Sequence, residues 1–123
     1  MNTPRYAEVR RGTTYHYLYQ GGPLHRLDGP AVRHPRGHKE YWVGGKRHRE
    51  DGPAVRNARG HREWWVNGVR HRANGPAVIK SDGHKEWWYE GKLHREDGPA
   101  IIEANGDSEW WVDGEPDGLL FTV

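Results

Sequence analysis

The chain has 123 residues, enough for one small domain, and its 33% hydrophobic content with a mean hydropathy of −1.11 leaves little for an ordinary two-layer core. It has no cysteine, which excludes a disulfide framework and a thiolate metal site, and no stretch approaches the ~20 apolar residues of a membrane span. The net charge of +2 hides an asymmetry: residues 1–102 hold all 19 Lys and Arg against 11 acids, whereas residues 103–123 hold six acids and no base.

The N-terminal MNTPRYAEVRRG has no apolar run, and together with the missing cysteines it points to a cytoplasmic protein. Residues 1–21 read as a cap hairpin, in which Thr13–Gln20 (TTYHYLYQ) supplies Tyr where later segments have Trp. Four units follow, at 22–44, 45–67, 68–90 and 91–113. They carry HRLDGPAVRHPRGHKEYWV from His25, HREDGPAVRNARGHREWWV from His48, HRANGPAVIKSDGHKEWWY from His71 and HREDGPAIIEANGDSEWWV from His94. The four histidines are 23 residues apart each time, so the chain is a repeat protein. Such strict repetition, with seven Trp and six Tyr, argues against the disorder that composition alone would allow.

Within each unit, HPRG, NARG, KSDG and EANG place Gly where a type I turn followed by a left-handed residue closes a hairpin. Trp, Tyr and Val favour strands. The arms are therefore expected to be Pro53–Arg56 with His61–Val66, and likewise 30–33 with 38–43, 76–79 with 84–89, and 99–102 with 107–112. Asn67–Gly75 and its equivalents read as polar connectors that fold back over one face. Residues 114–123 are expected to be a C-terminal cap strand. The expected fold class is all-β, an elongated single-sheet meander of stacked β-hairpin repeats.

Side chains alternate between faces along a strand. Tyr41, Trp64, Trp87 and Trp110 should therefore form one ladder, and Trp42, Trp65, Trp88 and Trp111 a second on the opposite face, beside Glu40, Glu63, Glu86 and Glu109. The pattern W-x-x-G followed by H, seen as Trp65–Gly68 with His71, resembles the MORN repeat, a β-hairpin unit of similar length. Arg26, Arg49, Arg72 and Arg95 stand where MORN units usually have Gly, and E-W-W replaces the Y-x-G-x-W signature. The resemblance covers roughly residues 20–115. It implies a hairpin ladder used for scaffolding, dimerisation or membrane-proximal docking, with no catalytic residue to carry over.

Four chemistries deserve weighing. His25, His48, His71 and His94 look like a ligand set, but equivalent residues two strands apart lie about 10 Å from one another. They cannot share an ion whose bonds are about 2 Å long, so no metal or other cofactor is expected. These histidines should brace the connectors, His48 by donating to a carbonyl and Asp51 by an Asx-type bond. Catalysis is not expected either, because the His61/Glu63 pair recurs as His38/Glu40 and His84/Glu86, and no single site converges. Arg26, Arg49, Arg72 and Arg95 are read as structural, stacking on the Trp42 face and pairing with Glu40, Glu63, Glu86 and Glu109.

Among the variable basic residues Arg33, Arg36, Lys39, Lys46, Arg47, Arg56, Arg59, Arg62, Arg70, Lys80 and Lys85, Arg33 and Arg56 share one strand position and Lys39, Arg62 and Lys85 another. These five are expected to line up as a stripe and, with Arg59, Trp65 and Trp88, to meet a partner. The expected function is that of a non-enzymatic binding module for a macromolecule. A protein is favoured, including a nucleic-acid-handling complex that the chain would inhibit or assist; direct nucleic-acid binding by the stripe is the alternative. The uncharged Leu119–Val123 edge is expected to support a homodimer.

Overall fold

Two kinds of turn, both set by glycine, organise every repeat in the computed structural model, which describes residues 5–117. At His34–Gly37, Asn57–Gly60, Lys80–Gly83 and Glu103–Gly106, the Gly amide donates to the carbonyl three residues back at 2.9–3.4 Å. These glycines have φ between 96° and 103°, the left-handed residue expected from the sequence. The turns join Val32–Arg33 to Lys39–Glu40, Val55–Arg56 to Arg62–Glu63, Val78–Ile79 to Lys85–Glu86, and Ile101–Ile102 to Ser108–Glu109. An N-terminal hairpin, Tyr6–Arg10 with Thr13–Tyr17, precedes them. All ten strands form one antiparallel meander in chain order, so the molecule is all-β.

The second kind of turn corrects the expected strand lengths. Gly44-Gly45, Asn67-Gly68, Glu90-Gly91 and Asp113-Gly114 have positive φ at both residues, the geometry of a two-residue hairpin turn that matches strand twist. They create four further hairpins: Trp42–Val43 with Lys46–Arg47, Trp65–Val66 with Val69–Arg70, Trp88–Tyr89 with Lys92–Leu93, and Trp111–Val112 with Glu115–Pro116. The arm expected over His61–Val66 therefore breaks at Trp64, and the arms 38–43, 84–89 and 107–112 break likewise. The Trp64 amide still donates to Ala77 O (2.7 Å), but its carbonyl accepts from the His71 amide (3.1 Å), and the chain leaves the sheet. Half of what reads as connector is thus a hairpin of its own. Successive small hairpins are tied together, as where Arg49 N–H reaches Trp65 O and Gly68 N–H reaches Arg47 O.

The most buried side chains are not those of the tryptophans themselves. Ala31, Ala54, Ala77 and Ala100 have no exposed surface, and Val32, Val55 and Val78 are nearly as buried. Tyr41 N–H donates to Ala54 O, Trp64 to Ala77 O, and Trp87 to Ala100 O, so each alanine lies in the row of large aromatic residues. A small side chain between large ones lets that row close without voids. The valines occupy the other face, each directly opposite a Glu of the repeat. At the first repeat, His16 takes the position of Tyr41, donating its amide to Ala31 O. Leu119–Val123 lies outside the described residues. No helix among the described residues is long and apolar enough to cross a membrane.

Candidate interaction surface

The strand register assembles the basic stripe. Thr14 stands opposite Arg33, Arg33 opposite Lys39, Lys39 opposite Arg56, and Arg56 opposite Arg62; Ile79, Lys85, Ile102 and Ser108 continue the row. From Arg33 to Lys85 it crosses five strand steps, about 24 Å. Four cations in immediate succession, with no acid in the row, oppose sheet stability, since like charges directly across a strand pair repel. Arg33, Arg56, Arg62 and Lys85 are exposed, while Lys39 is partly covered. Arg59 lies apart from the row, in the turn that Asn57 Oδ1 ties by accepting from its amide (2.9 Å).

On the same face as Arg62, two residues along, runs the aromatic row. Its outer side is covered by the arginine of the HRxDGP segment: Arg49 stacks on Tyr41, Arg72 on Trp64 and Arg95 on Trp87, with guanidinium carbons 3.8–4.0 Å from the ring centroids. Arg26 does the same duty at His16, donating to its Nε2 (3.2 Å). Burial there, then the Arg26 charge, outweigh the opposing field of Asp28 and lower the His16 pKa. Each of these arginines also donates from Nη1 to the proline carbonyl four residues on. The expected pairing of Arg26, Arg49, Arg72 and Arg95 with Glu40, Glu63, Glu86 and Glu109 is not what forms. Nε of Arg26, Arg49 and Arg95 instead donates to Asp28, Asp51 and Asp97 (2.9–3.2 Å). The connector approaches the Tyr41 face, not the Trp42 face, and that puts the glutamates out of reach.

The glutamates lie on the opposite face in a relay along alternate residues. His38, His61 and His84 donate from Nε2 to Glu40, Glu63 and Glu86 (2.6–2.7 Å). The indole N–H of Trp42, Trp65 and Trp88 donates to the other carboxylate oxygen (2.7 Å). Burial alone would raise the pKa of Glu63 and Glu86, but the His and Trp donors, helped by the field of Arg70, hold both below the usual carboxylate range. His84 is additionally bound through Nδ1 to Glu103 (2.8 Å). The hydrogen bond to Glu86, resisted by burial and aided by Glu103, raises its pKa.

Two arginines from outside the expected stripe complete this face. Arg47 lies 5.3 and 5.2 Å from the rings of Trp42 and Trp65, and Arg70 lies 5.2 and 5.3 Å from Trp65 and Trp88. The result is an alternating stack of three indoles and two guanidinium groups. Trp65 and Trp88, expected to join the basic row in partner binding, are held in this stack on the other face from it. The signal was present as Lys46-Arg47-His48 and Val69-Arg70-His71, whose Arg stands directly opposite Trp42 or Trp65 in the small hairpin.

The repeated histidines clip one repeat to the next. Nδ1 of His25, His48, His71 and His94 accepts from the amides of Gly44, Asn67, Glu90 and Asp113, 19 residues on, at 2.8–3.0 Å. His48 thus accepts where donation to a carbonyl was expected, because the positive-φ turn of the following hairpin presents N–H groups to it. Similarly, the partner of Asp51 is the Arg49 guanidinium, where an Asx-type bond was expected.

Fold and surface together define a β-hairpin repeat protein with an aromatic row on each face and a basic row on one of them. No protein-family model matches the chain, and no curated protein or solved structure is significantly similar to it.

Proposed function

We propose that the protein is a non-enzymatic binding module whose basic sheet face docks on an acidic protein surface. One observation carries this reading: Arg33, Lys39, Arg56 and Arg62 stand side by side in strand register with no acid between them. A sheet selected for stability alone would alternate charges there. The row continues through half-exposed Ile79 and Ile102, a mixture of charge and aliphatic surface that suits a protein contact. Tyr41, Trp64 and Trp87 on that face carry guanidinium groups, which leaves little ring surface for stacking bases. The repeat is MORN-like in period and hairpin build, and the scaffolding and docking roles which that resemblance implies agree with such a use.

Affinity capture from the source cells, with and without nuclease, tests the proposal. A control bait has Arg33, Lys39, Arg56, Arg62 and Lys85 replaced by Gln. The expected result is an acidic protein retained after nuclease treatment and lost with the control. Capture that disappears with nuclease, together with affinity for oligonucleotides falling steeply as salt rises, would sink the protein reading in favour of nucleic acid.

A further inference from the structure

The third repeat departs from the others in the segment that covers the aromatic row. His25-Arg26-Leu27-Asp28, His48-Arg49-Glu50-Asp51 and His94-Arg95-Glu96-Asp97 all end in the Asp that accepts from arginine Nε. The third repeat reads His71-Arg72-Ala73-Asn74. Arg72 keeps its stack on Trp64 at 3.8 Å and its bond to Pro76 O at 3.0 Å, so the guanidinium is held as in its siblings. Yet its Nε–H has no acceptor among the described residues, and no carboxylate pairs with it.

The surroundings sharpen the difference. Arg62, a member of the basic row, lies 5.9 Å from the same Trp64 ring. Burial, and after it the charge of Arg62, lower the Arg72 pKa, as expected for a cation facing another cation. Arg72 also opens on a groove of about 900 Å³, lined among others by Asn74, Trp87, Tyr89, Arg95 and Asp97. The equivalent groove between the first two repeats has about 480 Å³ and contains Asp28 beside Arg26. With Asn74 where the first repeat has Asp28, the third-repeat groove holds two carboxylates, Glu96 and Asp97, where the first holds three, Asp28, Glu50 and Asp51.

We propose that Arg72 and Asn74 form a receptor for an external carboxylate, an Asp or Glu side chain of the partner, which occupies the place that Asp28, Asp51 and Asp97 fill in the other repeats. A carboxylate there accepts from the Arg72 Nε–H in the fork geometry that guanidinium groups favour, and the Asn74 amide is free to donate to it. An internal Asp would neutralise the site. Asn carries no charge, and the Arg72 Nε–H makes no bond to it, so the guanidinium keeps both its charge and an unused donor. This rests on the reading of the basic face as one that meets an acidic protein.

Two measurements separate the notch from that reading. In the first, acetate is titrated at constant ionic strength while the arginine Nε–H signals are followed by NMR. The Arg72 signal should shift and saturate, those of Arg49 and Arg95 should not, and Asn74→Asp should abolish the response. An Arg72 signal no more responsive than that of Arg95 overturns the notch. In the second, a fluorescein-labelled oligoglutamate peptide is bound by wild type, by Asn74→Asp, and by a variant with Arg33, Lys39, Arg56 and Lys85 changed to Gln. Asn74→Asp should weaken binding about threefold or more, the scale of one exposed ion pair. Equal affinity of Asn74→Asp and wild type overturns the notch even where the row variant binds poorly. A row variant that binds like wild type overturns the reading of the face, while the acetate titration still decides the notch.

Discussion

The glycine of each HRxDGP segment offers a sharp test of the arginine-capped aromatic row. A Cβ added to Gly98 would stand 2.7 Å from Arg95 Cζ, 2.8 Å from Nη1 and 3.0 Å from Nε. The φ of Gly98 is not in the left-handed region, so the obstacle to alanine is the guanidinium and not the backbone. Gly98→Ala should therefore push Arg95 off Trp87, which it now covers at 3.9 Å, and break its bond to Pro99 O at 3.1 Å. The ring contact is worth about 1 kcal/mol. The charged hydrogen bond is worth about 1.5 kcal/mol. Asp97, 90% exposed, adds little. Against these, alanine restricts the unfolded chain and returns about 0.5 kcal/mol. The expected net loss is about 2 kcal/mol, measured by urea denaturation. In an Arg95→Ala background the obstruction is gone, and the same Gly98→Ala change should stabilise by about 0.5 kcal/mol. The double-mutant cycle thus predicts a change of sign. An equal loss in both backgrounds would refute the account and place the constraint in the backbone.

Other consequences are simpler to state. Trp65→Phe keeps a ring between Arg47 and Arg70 but removes the donor to Glu63, and should cost about 1–2 kcal/mol in chemical denaturation. His84 has a raised pKa, so its contribution is complete below the ordinary histidine value of about 6.5 and is lost as pH rises through the folded value. Glu63 and Glu86 have lowered pKa values, so theirs is present above the ordinary carboxylate range and lost as pH falls through the folded values. Thermal unfolding should accordingly show a decline on the alkaline side that His84→Gln removes, and a decline on the acid side to which His16, with its lowered pKa, also contributes. Replacing Arg33, Lys39, Arg56, Arg62 and Lys85 by Gln should leave the melting temperature unchanged or raise it, because like charges in register are removed. A marked fall would mean that the row is structural.

Much of this architecture is legible in single residues. The 23-residue period, the all-β class and the turns closed by Gly37, Gly60, Gly83 and Gly106 follow from local chemistry, since positive φ and strand preference are properties of short segments. The row of basic residues was legible too, because Arg33 and Arg56, and Lys39, Arg62 and Lys85, recur at fixed places in the unit. What the sequence hides is the break at Trp64. Trp64-Trp65-Val66 is an uninterrupted run of strand formers, and nothing local says that it changes partners midway. Gly44-Gly45, Asn67-Gly68 and Asp113-Gly114 announce a two-residue turn, but Glu90-Gly91 disguises the same turn behind a residue that seldom takes positive φ.

That one break decides where every arginine goes. In a continuous strand Arg47 and Arg49, two residues apart, would share a face. Instead the chain leaves the small hairpin after Arg47, and His48 donates its amide to Tyr41 O. Arg47 then stacks between Trp42 and Trp65, while Arg49 crosses to Tyr41 on the other side. Both faces of a single-layer sheet are thereby covered by guanidinium groups in place of a second layer, which is how so polar a chain closes its aromatic rows. It also sets where one substitution within the unit changes the charge of the surface. Where every arginine of the covering set has its own acid, the surface is neutral and closed. Exchange of that acid for Asn74 leaves the fold unchanged and frees one fixed, oriented donor beside the basic row.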